Sequence, residues 1–134
     1  MFKLIKIQNS GVNVPEPQKF YKPSALKLKA GDALIIDNGG VTSCPATTTP
    51  THISFSVGKY NELEVLAYEI NENMIFETTV SGDPSSLMVG DKVTIGKDVD
   101  NSSANVTSTT ASGVATIVDL MNASKSGDKI NVKF

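Results

Sequence analysis

Tryptophan is absent from this chain, and cysteine and histidine occur once each, as Cys44 and His52. A single cysteine excludes an intrachain disulfide. One thiol and one imidazole fall short of the three or four nitrogen or sulfur ligands that a zinc site gathers, so no metal and no cofactor are expected. Aromatics make up only 6% of the residues, too few for a sugar platform of exposed rings. Tyr21, Tyr60 and Tyr68 are the remaining candidates for such a role. Phe55, Phe76 and Phe134 fall on apolar faces and are expected in the core. No apolar run approaches the roughly 20 residues of a membrane helix, so no membrane partner is expected. The start, MFKLIKIQNSG, has too short an apolar stretch for a signal peptide, and use without export is the expectation. The net charge is −2. No basic stripe is present to displace counterions from phosphates, so no nucleic-acid partner is expected. Lys3, Lys6, Lys19, Lys22, Lys27 and Lys29 read as a solvated face.

What the chain does have is a repeated device. Ala30-Gly31-Asp32, Val89-Gly90-Asp91 and Ser126-Gly127-Asp128 each precede an apolar run. Glycine supplies backbone angles that a side chain forbids, and Asp bonds neighbouring amides across a turn. The runs that follow alternate with period two, as half-buried strands do. Val93 and Ile95 point one way, Lys92 and Thr94 the other. Phe2–Ile7, Ala25–Lys29, Ala33–Asp37, Thr51–Val57, Glu64–Ile70, Met74–Val80 and Lys129–Phe134 read as further strands. Ile53, Phe55 and Val57 are expected inward, with His52, Ser54 and Ser56 outward. Glu64–Ile70 is apolar on both sides and is expected to be central. Val106–Thr109 and Val114–Leu120 are expected to form a hairpin around Thr110–Gly113. Helix is limited to a turn near Leu120–Ser124 or Ser85–Met88.

The expected fold is therefore all-β, a small barrel or sandwich of short antiparallel strands with little or no helix. At 134 residues it is one domain. Residues 1–24 are expected to hold a first strand and an extended arm, and residues 25–134 a single β domain. The arm, Val12–Ser24, carries Pro15, Pro17 and Pro23, which cannot donate to a sheet ladder. Val14, Pro15, Pro17, Phe20, Tyr21 and Pro23 are its candidate partner contacts. A loop packed on its own domain is the alternative.

Motifs for chemistry fail on spacing. Gly90 to Gly96-Lys97 has one residue too many for a phosphate loop, and Asp98 stands where a hydroxyl is needed. Asp98-Val99-Asp100 opens like a calcium loop, but Ser103 replaces the bend glycine and Thr109 the closing Glu. Sequon matches at Asn101, Asn105 and Asn122 lie in a Ser/Thr/Asn-rich stretch. Glu62 and Glu64 read as a solvated pair. A Ser-His-Asp relay on His52 lacks a nucleophile elbow. No catalytic residue is expected, and neither Cys44 nor His52 is given a role.

In order along the chain, Leu28-Lys29-Ala30-Gly31-Asp32-Ala33-Leu34, Pro50-Thr51-His52-Ile53, Glu64–Ile70, Met74–Thr78, Val89–Ile95, Val106–Val118 and Gly127–Phe134 resemble the small capsid decoration, or cement, proteins of tailed bacteriophages. The Cys44–Pro50 loop and the Asp98–Asn105 turn depart from that pattern. The resemblance implies a non-enzymatic virion protein on the outer capsid surface, assembled in the bacterial cytoplasm. Its partners would be the major capsid protein and two further copies of itself, in a trimer. Another virion β module, such as a baseplate, tail or fibre domain, is the first alternative. A small hydrolase dependent on His52 and a secreted ligand-binding domain are the others.

Overall fold

The computed structural model describes residues 1–8, 15–57, 63–97 and 104–134. The strands are β1 (Lys3–Ile7), β2 (Gln18–Tyr21), β3 (Ala33–Asp37), β4 (Gly40–Ser43), β5 (His52–Val57) and β6 (Glu64–Glu69). They continue with β7 (Met74–Ser81), β8 (Lys92–Val93), β9 (Ile95–Lys97), β10 (Ala104–Thr107), β11 (Ala115–Asp119) and β12 (Lys129–Lys133). No helix occurs among the described residues, and the fold is all-β. Val14, Gly58, Tyr60, Glu62 and the polar stretch 98–103 lie outside the described residues.

Seven strands form a nearly closed barrel around β7. The order β8-β11-β12-β7-β10-β9 returns on itself, because β8 and β9 are separated only by Thr94. The Thr94 amide donates to the Thr109 carbonyl, and the Thr107 amide donates to the Thr94 carbonyl. One short run thus pairs with β11 at one end and β10 at the other. Strand β7 pairs with β12 along one edge and with β1 and then β10 along the other. Its alternation explains that centrality: Met74, Phe76, Thr78 and Val80 are all buried in the interior. Phe2, Phe76 and Phe134 meet edge-on or tilted, with centroids 5.2–6.4 Å apart. Fully burying a large apolar side chain contributes about 1.5–3 kcal/mol, so this ring cluster is a main source of stability.

The other five strands form a second sheet, β2-β6-β5-β3-β4, with β6 inside it as its two-sided apolarity predicts. One face presents Ala33, Ile53 and Tyr68 to the barrel core. The opposite face gathers Leu34, Val41, Val65 and Ala67 under Leu28, with Phe20, Leu26 and Val57 at the margin. The sheet curls until β4 nears β2; a Cβ on Gly40 would lie 2.4 Å from the Tyr21 carbonyl oxygen.

The three Gly-Asp turns share one construction. Gly31, Gly90 and Gly127 take φ of 84°, 96° and 94°. In each, the Asp amide donates to the residue three back, whose own amide donates to the Asp carboxylate. Asp32 alone is buried. Its second oxygen accepts the Ala104 amide at 2.9 Å, which ties the small sheet to β10 of the barrel. The Ile95 amide bonds to the Ala46 carbonyl across the same seam.

Several expectations are corrected. Ala25–Lys29 is no strand: the Leu26 amide closes a turn on Pro23, and Lys29 spends its amide on Asp32 and its carbonyl on Asp32 and Ser54. The hairpin of β10 with β11 does not form. Instead β10 lies parallel to β7, and β11 pairs with β8 and β12. Gly113 makes room for this arrangement, since a Cβ there would sit 2.1 Å from the Lys92 carbonyl oxygen. Thr94, expected on the outer side of its strand, is buried against Thr107, with hydroxyls 2.6 Å apart.

Strand β5 departs most. A bulge between Ser54 and Ser56 inserts Phe55 as an extra residue. Two residues on one strand then face one on the other, and the alternation past the bulge is inverted. Phe55, expected inside, is 59% exposed, while His52 and Ser54, expected outside, are buried. Ser54 is held inward because its hydroxyl accepts the Asp32 amide and donates to the Lys29 carbonyl.

Candidate functional site

The proline-bearing segment joins the sheet. Gln18, Lys19, Phe20 and Tyr21 pair antiparallel with Ala67, Leu66, Val65 and Glu64. Pro15 and Pro17 precede β2, where a missing N–H costs no ladder bond. Alternation divides the candidate contacts. Phe20 turns inward onto His52, with ring centroids 4.9 Å apart. Tyr21 turns outward and is 60% exposed, and Pro23 is exposed too.

Register places Lys19, Tyr21, Glu64 and Leu66 on the sheet face that also carries Tyr68 and Ile53. The Tyr68 end of that face belongs to the barrel core, while the Leu66 and Tyr21 end is exposed. The bulge adds Phe55 opposite Leu66. The outcome is a shelf of Tyr21, Phe55 and Leu66 beside the Lys19–Glu64 ion pair, whose N–O distance is 3.6 Å. That pair is largely solvated and contributes little on its own. A contiguous apolar shelf is the kind of surface that marks contact with another macromolecule. Sequence reasoning missed Phe55, because nothing in Ser54-Phe55-Ser56 announces a bulge.

His52 stands on the opposite face of β5, behind this shelf. Its Nδ1 is 2.8 Å from Thr51 Oγ1, which has the Leu34 carbonyl as an acceptor at 3.4 Å. That assignment leaves Nδ1 as the donor and Nε2 as the bare position. Burial holds its pKa below the ordinary 6.5, partly offset by the Glu69 carboxylate on β6. An imidazole kept neutral between Phe20 and Thr51 is a packing element more than a base. Lys22, also buried, lies two residues beyond Phe20, and its ammonium donates to the Leu26 carbonyl at 2.7 Å.

Cys44 is half-buried at the seam, with Sγ 2.9 Å from the Thr48 carbonyl. Burial pushes the thiol up to about 11, so it is protonated at neutral pH and a poor nucleophile. It lines a recess of about 190 Å³ with Asp32, Ile95 and Lys97. A shallower cleft of about 310 Å³ runs between Tyr21–Pro23 and the β3–β4 hairpin. Among the described residues, no three of His, Cys, Asp and Glu gather as a metal would require. Asn105 of the second sequon is buried, so that amide is closed to modification in the folded chain. Comparisons of the chain with protein-family models, with curated proteins and with solved structures yield no match.

Proposed function

We propose that this chain is a non-enzymatic structural protein of a tailed-phage virion, a decoration protein that seats on the outer surface of the major capsid protein and stabilises the head. The order of the Gly-Asp strands supports the reading through its resemblance to that family. The observation that carries it is the exposed Tyr21–Phe55–Leu66 shelf on the open sheet of a body whose barrel is nearly closed. A nearly closed barrel resists deformation, and an exposed apolar shelf repeated by symmetry adds modest contacts into avidity. The proposed assembly is a homotrimer, by resemblance, with the shelf directed at the shell.

The test is cosedimentation with purified expanded heads of the phage that encodes the chain. Wild-type protein is expected to saturate the heads at a fixed stoichiometry and to elute as a trimer in light scattering. Tyr21 and Phe55 are both well exposed. The double variant Tyr21→Asp/Phe55→Asp is therefore expected to keep wild-type stability within about 0.5 kcal/mol. It is expected to lose at least about tenfold in affinity, which is about 1.4 kcal/mol of contact. A monomer that ignores heads, or a double variant that binds them as well as wild type, refutes the reading.

A further inference from the structure

We infer that His52 is an acid-sensitive latch on β2: when its imidazole takes a second proton, the strand Gln18–Tyr21 loosens from the sheet. The geometry carries this. Among the described residues, β2 is an outermost strand of its sheet and pairs with β6 alone. Phe20 is the apolar side chain by which β2 packs against the small core, and it rests edge-on against the His52 ring. His52 is 9% exposed, and its Nδ1 is already engaged by Thr51. The new proton therefore goes to Nε2, and the Phe20 ring packed on the imidazole offers it no acceptor. The pull of an aromatic ring on a cation is weaker than the hydration a covered charge forfeits.

The surrounding charges set how far the latch responds. Glu69 is the register partner of His52 on β6 and draws the proton in. Lys22, beyond Phe20 on the β2 side, has its ammonium bonded to the Leu26 carbonyl. Leu34, the register partner on β3, is apolar. Asp32, which precedes β3, has both carboxylate oxygens taken by amides. Burial outweighs Glu69, so the folded chain holds the neutral ring more firmly than an unfolded chain does. The stability that His52 contributes is thus complete above pH 6.5, the unfolded value, and is lost as pH falls toward the lowered folded value. Because Tyr21 belongs to the shelf, acid would also weaken partner contact; that consequence rests on the function proposed above, whereas the latch itself does not.

Hydrogen exchange read at individual amides tests it. Between pH 7.5 and 5.5, after correction for intrinsic rates, protection at Lys19 to Tyr21 is expected to fall severalfold, while that at Ile130 to Val132 in β12 stays fixed. In His52→Gln the fall disappears. In Glu69→Gln, which leaves the core untouched, the fall becomes larger, since the offsetting charge is gone. Equal falls in wild type and His52→Gln, no fall in wild type, or a smaller fall in Glu69→Gln would each overturn the latch. Failure of the wild-type chain to bind heads at pH 7.5, with an intact exchange response, would sink the proposed function and leave the latch standing.

Discussion

The two sheets solve the same problem differently. The barrel buries its apolar residues by curling almost into a ring, with Thr94 joining the first and last strands and Phe2, Phe76 and Phe134 packed edge-on or tilted in its core. The smaller sheet stays open. It lends one face to the barrel, covers most of the other with the Leu26–Leu28 segment, and leaves a polar imidazole and an ammonium inside. The lesson is a division of labour. The nearly closed unit supplies rigidity, and the open one supplies exposed apolar surface and a buried imidazole whose charging burial opposes.

Damage to the barrel is expected to have the largest effect and to reach the smaller sheet. Phe76 is fully buried, and Phe76→Ala is expected to cost about 3–5 kcal/mol. Because Ala33, Ile53 and Tyr68 share the barrel core, both units should melt in one urea transition. Circular dichroism for the whole and tyrosine fluorescence for the small sheet, where Tyr21 and Tyr68 sit, should give coincident midpoints. Separate midpoints would make the sheets independent domains.

Asp32→Ala comes next. It strips the acceptor from the Lys29 and Ala104 amides, at about 1–3 kcal/mol for each amide left unsatisfied away from water. Asp91→Ala and Asp128→Ala remove the same turn bonds where water can replace them, and should cost far less by the same urea measurement. Equal losses at all three would mean that the seam contact to Ala104 contributes nothing.

The closing glycines sharpen the contrast. Gly113→Ala drives a Cβ into the Lys92 carbonyl of the barrel, and Gly40→Ala drives one into the Tyr21 carbonyl of the small sheet. Overpacking of this kind costs about 1–3 kcal/mol. The barrel variant should lie at the upper end, because β8 cannot retreat without opening the ring, whereas β2 is an edge free to move. Thermal midpoints rank the two.

The smallest effects separate by pH. On the barrel, Glu77 is held below its usual range by the Lys129 hydrogen bond and charge, and Asp128 by the Ser124 and Lys125 amides. Their stabilisation is full above the unfolded values of 4.5 and 3.8 and is lost as pH falls through the folded ones. His52 acts from its higher unfolded value of 6.5 downward. A stability–pH curve should therefore show a shallow step just below pH 6.5, removed by His52→Gln, and a separate acid limb flattened by Asp128→Asn.

The parts of this fold legible in sequence are those written locally. Each Gly-Asp turn declares itself, because only a glycine sits comfortably at positive φ and only a short carboxylate reaches back three residues. The alternation of Met74–Val80 likewise identified the interior of β7. The bulges at Ile5, Phe55 and Val118 were not legible, since Ser54-Phe55-Ser56 keeps its alternating pattern while the backbone slips by one. The same slip hid the shelf, whereas His52, which precedes it, is buried because the second face of the sheet is covered as well. The parallel pairing of β10 with β7 was hidden for another reason: 22 residues and two other strands separate the two in the chain, and adjacency in sequence favours a hairpin that does not form.

Strand β7 draws its neighbours from residues 3–7, 104–107 and 129–133. Such distant partners make the barrel a slow folder, on the millisecond-to-second scale typical of non-local β topologies. During synthesis the flank of β7 awaiting β12 stays bare until Val132 has left the ribosome. A nascent chain stalled before that point should be readily digested by protease, and release of the full chain should convert it to a resistant form.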